Sequence, residues 1–297
     1  MVPDVLTLAA PAKLNLYLHV TGKRQDGYHL LDSLVAFIDV CDRIAIAPAN
    51  ELTFHADGPF AGAFAGEDPA GNLVVRAARA LAAVAGRDIT VALSLTKNLP
   101  VASGIGGGSA DAAACLRGLA QLWGIDPAGE AVMAVAAELG SDIPACVAGR
   151  ACYMGGVGTE LSPAPALPAA GLLVVNPGIG LSTPSVYRAR QGDFTPAMRF
   201  DTPPADARAL AALLADRRND LTKPAIAQVP QIATVLDAIA QSEGCLLSRM
   251  SGSGATCFGL FDDIAEAARA ADAIRAANPN WWVAPGRLIQ NGSVLDA

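Results

Sequence analysis

Between residues 12 and 20 apolar and polar positions alternate, with Leu14, Leu16 and Leu18 facing one way and Lys13, Asn15, Tyr17 and His19 the other. A period of two describes a β-strand, here one whose second face is a polar working surface. A charged turn at 22–27 and the pair Tyr28-His29 lead to further strands within 35–47, around Asp39 and Asp42. Residues 48–71 are rich in Gly, Ala and Pro and read as hairpin and loop. At 72–85 the period lengthens, and Leu73, Val74, Ala77 and Leu81 share one helical face. It returns to two at 89–96, where Ile89, Val91, Leu93 and Leu95 alternate with Thr90, Ala92, Ser94 and Thr96, the pattern of an antiparallel strand with one face in a core. A helix at 110–123 carries Cys115, Leu116, Leu119, Leu122 and Trp123 on one face, and another at 128–139 stops at Gly140.

Pro163, Pro165 and Pro168 cluster in a stretch of changed composition at 156–170, which divides the chain into domains at 1–160 and 161–297. Beyond it the patterns predict strands at 172–175, 245–250, 256–261 and 281–284 and helices at 205–215, 232–241 and 264–276. Strands and helices interleave without a regular β-α rhythm, so the fold class is α+β.

Of the 297 residues 52% are hydrophobic and 16% charged, enough apolar surface for a large core and too little charge for a disordered chain. The net charge of −7, without a basic run, argues against a nucleic-acid partner. Cys41, Cys115, Cys146, Cys152, Cys245 and Cys257 include no Cys-x-x-Cys pair, and no His, Cys and carboxylate set has metal-ligand spacing. Free thiols in a reducing cytosol are expected. Asp4 without a basic stretch is unlike a secretory leader, and no apolar run reaches the ~20 residues of a membrane span, so a cytoplasmic protein is expected.

The densest chemical signal lies between the strand at 89–96 and the helix at 110–123. There Pro100, Val101, Ala102, Ser103, Gly104, Ile105, Gly106, Gly107, Gly108, Ser109 and Ala110 form a glycine-rich turn, expected to lie outside the core, with Ser109 able to cap the helix. Backbone N–H groups and the positive end of the helix dipole make such a turn a seat for phosphate. It is not a Walker A loop, because no lysine follows Gly108, and Ser109 replaces the last glycine of the kinase and Rossmann fingerprints.

This segment resembles the second motif of the GHMP kinases, the family of galactokinase, homoserine kinase and mevalonate kinase. Pro11-Ala-Lys-Leu-Asn-Leu16, Asp26-Gly-Tyr-His29, Leu139-Gly-Ser-Asp-Ile-Pro144 and Ser251-Gly-Ser-Gly-Ala-Thr256 resemble one branch of it, in order, from about residue 8 to 261. Homoserine and mevalonate kinases share the loops but are not expected to carry Asp26-Gly-Tyr-His29. The resemblance implies two domains of mixed and antiparallel sheets with helices, and an active site in the cleft between them. It implies ATP and Mg²⁺ as cofactors and, as acceptor, the 2-hydroxyl of a CDP-linked methylerythritol on the non-mevalonate route to isoprenoid precursors. A monomer or weak homodimer is expected.

By the same resemblance Asp142 is the general base and Lys13 the neighbour that keeps it ionised and offsets charge on the transferring group. From position alone Asp142 reads as a helix N-cap or first-turn carboxylate before it reads as a base, and Lys13 as a solvated lysine. Asn15 shares the face of Lys13 and so reaches the same substrate. Tyr28 and Tyr187 would wall the cytosine, with His29 and Thr183 beside them; outside the resemblance Tyr187 is equally an ordinary core or surface aromatic. Asn72 would open the adenine-side helix, Lys97 precede the phosphate loop, and Ser109 help hold Mg²⁺; no second carboxylate ligand is apparent. His19 and His55 read as structural. Two other readings are another family member acting on a small alcohol such as homoserine, and a catalytically silent nucleotide-binding module.

Overall fold

The computed structural model describes residues 5–290. Asp4, on which the reading of the N-terminus rests, lies outside them. The chain opens with two long strands, β1 (Leu6–Lys23) and β2 (His29–Pro48), paired antiparallel from Leu6 opposite Ile46 to Lys23 opposite His29. There follow β3 (Thr53–Asp57), α1 (Leu73–Ala85), β4 (Val91–Thr96), α2 (Gly107–Trp123), α3 (Glu130–Leu139), α4 (Ile143–Ala148), β5 (Cys152–Gly156) and β6 (Glu160–Pro163). The first sheet runs β3-β4-β2-β5-β6, with β1 along the opposite edge of β2. The second half contributes β7 (Gly171–Asn176), α5 (Thr183–Ala189), α6 (Ala207–Ala215), α7 (Thr222–Gln228), α8 (Gln231–Ala240), β8 (Leu247–Met250), β9 (Cys257–Phe261), α9 (Ile264–Ala277) and β10 (Trp282–Arg287). Its strands form an antiparallel sheet in the order β10-β7-β9-β8. The architecture is α+β, and the change of sheet falls between Pro163 and Gly171.

Two expectations need correction at the first hairpin. The strands expected within 35–47 are one strand, because the register slips where Pro11 faces Cys41 and Ala12 faces Ile38, leaving Asp39 and Val40 as the extra residues of a bulge. The polar face of β1 is not wet either, since Lys13, Asn15, Tyr17 and His19 are as buried as Leu14, Leu16 and Leu18. A second slip at Leu16 lets Tyr17 share a core with Leu14 and Leu16. The far end of β1 bonds to the second half of the chain, with Leu18 N–H donating to Arg218 O at 3.0 Å and Asp220 N–H to Leu18 O at 2.9 Å. One strand therefore contributes to the core under α1 and α2 through Ala10, to the inter-sheet core through Leu14, and to the core under α8 and α9 through Leu18 and Val20.

Local chemistry sets the other elements that matter here. Asn72 caps α1, its Oδ1 accepting from Val74 N–H at 2.9 Å, which satisfies a donor with no partner inside the helix. The expected one-sided helix at 110–123 is α2, which begins earlier, at Gly107, and is buried on every side from Ala110 to Ala120. Its alanines leave room for β1, β2, α1 and α4 to close around it. The short helices α5 and α7 have no counterpart among the expected elements, and Tyr187 lies on the first of them.

Candidate active site

The glycine turn meets β1 directly. Lys13 N–H donates to Ile105 O at 2.9 Å, and a Cβ placed on Gly106 would stand 3.2 Å from the Lys13 side chain and 3.8 Å from Asp142 Oδ2. Gly106 is the N-cap of α2, with φ of 63°, a conformation that glycine adopts without strain. Ser109 is thus not the cap; it lies in the first helical turn, half-buried, with its hydroxyl unpaired. The first three N–H groups of α2, those of Gly107, Gly108 and Ser109, have no acceptor inside the helix, and the first closing bond runs from Ala110 N–H to Gly106 O at 2.8 Å. They form a donor set for an anion at the positive end of a 17-residue helix. At the loop's entrance Val101 and Ala102 are exposed, Ala102 has a φ of 51°, and buried Ser103 donates from Oγ to Pro100 O at 2.6 Å.

Beside this donor set sits an ion pair. Lys13 Nζ lies 3.0 Å from Asp142 Oδ2 and donates to Asn15 Oδ1 at 2.9 Å. Asn15 is held in turn, its Nδ2 donating to Ser33 Oγ at 2.8 Å and its backbone N–H to Ser251 Oγ at 3.1 Å. Lys13 is almost wholly buried, whereas the Asp142 side chain keeps 31% exposure, so the carboxylate is the more accessible half of the pair. Asp142 occupies the N-cap position of α4 but makes no capping bond. Its carboxylate is paired with Lys13 and otherwise free to accept a proton or a hydrogen bond.

Lys97 stands apart from this surface. It is sealed under the loop, its Nζ bonded to Asp42 and, at 2.7 Å, to Asp111 Oδ2. Burial would lower its pKa, but the carboxylates of Asp111 and Asp42 outweigh burial and raise it. Burial, opposed by Lys97 and assisted by Asp42, pushes the Asp111 carboxyl up to about 8. Asp42 also accepts from the N–H groups of Asn98 and Leu99 through Oδ1, fixing the approach to the loop. Gly107 forms the roof, since a Cβ there would meet Lys97 Nζ at 3.1 Å. The turn is therefore part of the core at Gly107, against expectation, and a bulky residue there would disturb the fold as well as the surface. Gly108 is the clean position: it is exposed, and nothing lies within 4 Å of the point where a Cβ would stand. Gly108→Val should lower nucleotide affinity on the order of 10-fold, about 1.4 kcal/mol, with melting temperature little changed. A nucleotide titration with that variant matching the wild type would remove the loop as the anion seat.

On the far side of Asp142, Tyr187 and His29 stack with ring centroids 5.2 Å apart and planes 29° from parallel. Burial, and secondarily the charge of Asp142, raises the Tyr187 phenol well above its ordinary pKa. His29 is held below its ordinary value by burial, then by Lys23 and Arg190, so a neutral imidazole faces the phenol. Tyr28, expected opposite Tyr187, is instead 66% exposed on the hairpin turn, just before β2 begins at His29. Thr183 lies one turn before Tyr187 on α5, and its hydroxyl shares a 2.7 Å hydrogen bond with Ser253. Asn72 lines a cavity of about 390 Å³ with Phe54, His55, Phe64 and Asp68, which makes His55 a wall residue. His19 is structural as expected, with Nδ1 at 2.9 Å from Pro196 O and Nε2 accepting from Arg218 N–H.

Three features had no signal in the local sequence pattern: the Ser33 support of Asn15, the Asp42–Lys97–Asp111 cluster and the docking of the second glycine turn. That turn, 251–254, packs backbone to backbone on the loop. A Cβ on Gly104 would lie 2.7 Å from Gly254 O and from Ser251 O, and Ser251 Oγ donates to Gly104 O at 3.0 Å. Among the described residues no three His, Cys, Asp or Glu side chains gather as a metal site, the cysteines are free thiols, and no helix is long and apolar enough to cross a membrane.

Comparison with known proteins places these features in a family. The family model described as GHMP kinases N terminal domain matches residues 72–150, and the one described as GHMP kinases C terminal matches residues 203–280. A 4-diphosphocytidyl-2-C-methyl-D-erythritol kinase of Paramagnetospirillum magneticum is 52% identical over 95% of this chain and 98% of its own. A crystal structure of 4-(cytidine 5'-diphospho)-2C-methyl-D-erythritol kinase superposes with a TM-score of 0.79 at 34% identity, covering 95% of this chain and 99% of that one. Homoserine kinase of Cytophaga hutchinsonii shares the fold, with a TM-score of 0.71 at 15% identity over 98% of this chain and 96% of its own.

Proposed function

This chain belongs to the GHMP kinases, among the 4-diphosphocytidyl-2-C-methyl-D-erythritol kinases, and from that premise we infer the reaction it performs. It transfers a phosphoryl group from ATP to the 2-hydroxyl of 4-(cytidine 5'-diphospho)-2-C-methyl-D-erythritol, in the non-mevalonate supply of isoprenoid precursors. The observation that carries this at the site is the contact of Gly106 with Lys13, which sets an anion seat against a carboxylate–ammonium pair.

In this reading the segment from Pro100 to Ala110 cradles the triphosphate, and the N–H groups of Gly107, Gly108 and Ser109 take the oxygens nearest the helix. The cavity beside Asn72, with Phe54 and Phe64 on its walls, receives the adenine. Lys97 acts from beneath the loop and touches no ligand. Magnesium carried by a triphosphate keeps several waters and needs few protein oxygens. The unpaired Ser109 hydroxyl at the mouth of the donor set fits that demand, and the ion bound there would neutralise phosphate charge.

Asp142 orients the acceptor hydroxyl and takes its proton. The transfer is loose, so that proton leaves late and positioning matters as much as basicity. Lys13 keeps Asp142 charged and offsets charge growing on the phosphoryl oxygens. Asn15 holds the Lys13 ammonium and faces the same substrate. Tyr187 presents a ring to the cytosine, His29 and Thr183 border it, and exposed Tyr28 is available to cover it. We further propose two domains, 1–160 and 161–297, with the site between them; a cytoplasmic monomer or weak homodimer; and no nucleic-acid partner.

The test is ADP release with the CDP-linked acceptor beside homoserine as control. Turnover with homoserine alone would return the chain to the other small-alcohol kinases. Within that assay Tyr187→Ala should raise KM for the CDP-linked acceptor roughly 5- to 150-fold, the effect of losing a stacked face worth about 1–3 kcal/mol, with KM for ATP unmoved. Tyr187→Phe keeps the ring and should be mild. A rise in KM for ATP instead would place the ring elsewhere.

A further inference from the structure

The second glycine turn reaches both sides of the proposed site through its own atoms. Toward the phosphate loop, Ser251 Oγ bonds Gly104 O and the N–H of Asn15, and Thr256 N–H donates to Ser103 O at 3.1 Å. The turn is itself held from behind, with Asn219 Nδ2 donating to Met250 O and Gly252 O at 2.8 Å each, and Asn176 Nδ2 to Thr256 Oγ1 at 2.8 Å. No slack remains at the contact, because a Cβ on Gly252 would lie 2.7 Å from Gly104 O. Toward the acceptor side, the buried Ser253 hydroxyl and Thr183 Oγ1 are 2.7 Å apart, either being able to donate.

Thr183 is the first residue of α5, and Tyr187 stands four residues on, on the same helical face. The N-cap of α5, Ser182, makes no capping bond, so the first turn of this 7-residue helix lacks the usual tether. Its other side-chain anchor, Ser185 Oγ to Gln228 Oε1 at 2.7 Å, leads away to α7. Thr183–Ser253 is thus the side-chain hydrogen bond that joins the helix carrying Tyr187 to the turn that backs the phosphate loop.

We propose that Ser253 is a positioning residue, its hydroxyl linking α5 to the phosphate loop so that nucleotide binding steadies the acceptor side of the site. Nucleotide pressing on Gly106–Gly108 stiffens a loop that shares backbone contacts with 251–254, and the Ser253–Thr183 bond passes that restraint to α5. By linkage the acceptor steadies the nucleotide loop to the same degree.

The identity of the acceptor rests on the proposed function, the link itself does not, and two measurements separate them. The first is amide hydrogen exchange across 183–189 with and without a non-hydrolysable ATP analogue. Exchange there should slow on nucleotide binding in the wild type and stay unchanged in Ser253→Ala, with Ser253→Thr, which keeps the hydroxyl, restoring the response. The second is steady-state kinetics. Ser253→Ala should raise KM for the acceptor at saturating ATP roughly 2- to 10-fold, the effect of one neutral hydrogen bond, while KM for ATP at low acceptor and melting temperature hold. Combined with Thr183→Val the change should be less than the sum of the two single effects. No nucleotide effect on α5 exchange, or the same effect in Ser253→Ala, overturns the link. Wild-type protein that binds the analogue but fails to phosphorylate the CDP-linked acceptor overturns the function and leaves the exchange result to decide the link.

Discussion

Asp142→Asn should lower kcat by on the order of 10²-fold or more, with KM for ATP and melting temperature close to those of the wild type. The substitution keeps the size of the side chain and removes the charge that accepts the proton and faces Lys13 at 3.0 Å. A group needed only in the transition state is lost from kcat and kcat/KM together, which is the pattern to look for with each substrate varied in turn. The fold should tolerate the change because Asp142 makes no capping bond that α4 would miss. If turnover is unaltered, Asp142 is a helix-start residue and nothing more.

Lys97→Met should be the most damaging single change to stability, about 3–5 kcal/mol, lowering the melting temperature by on the order of 10 °C. It strips the cation from Asp42 and Asp111, both sealed from water. Asp111→Asn should do the reverse in part at alkaline pH, where Asp111 is ionised. It leaves one ammonium with one carboxylate and removes a carboxyl whose pKa rises from 3.8 to about 8 on folding. A raised carboxyl pKa means the folded protein holds a proton the unfolded chain has released. That contribution to stability is full below pH 4 and is lost as pH climbs through about 8. Denaturant unfolding of the two proteins from pH 5 to 9 should therefore diverge, the wild type losing stability with pH relative to Asp111→Asn. Parallel curves would show that Asp111 is ionised throughout.

What could be read in the chain divides along a physical line. Elements whose signal is local were legible: the alternation of Val91, Leu93 and Leu95, the helical face of Leu73, Val74, Ala77 and Leu81, and the stop at Gly140. The glycine run with its helix, and the pairing of Lys13 with Asn15 on one strand face, were legible for the same reason. Features made by distant residues were not. Asp42, Lys97 and Asp111 lie on β2, on the loop and on α2, and nothing about a lone lysine before a glycine loop says that it is buried. The bulge at Asp39–Val40 reads as a break between strands because its two extra residues interrupt the run of buried positions that ends at Ile38. Tyr28 and His29 were both assigned to one ligand; His29 opens β2 and stacks on Tyr187, whereas Tyr28 stands exposed on the turn before it, a separation that neighbouring letters do not announce. The short helices α5 and α7 carry Pro184 and Pro224, residues that read as turns in a sequence.

The shared use of β1 by three cores also sets an order of events during synthesis. The strand leaves the ribosome ahead of every element it packs against, and β2 can pair with it within seconds. Its apolar residues Leu14, Leu16 and Leu18 pack with partners from the second half, such as Leu172, Val174 and Phe258 for the first two and Val235 and Met250 for the third. About 200 residues separate Leu18 from Asn219, its bridge partner, a wait of roughly 10–40 s at ~5–20 residues per second. Through that interval the nascent hairpin carries an uncovered apolar side, so slower translation should prolong its exposure and raise the demand for chaperone holdases.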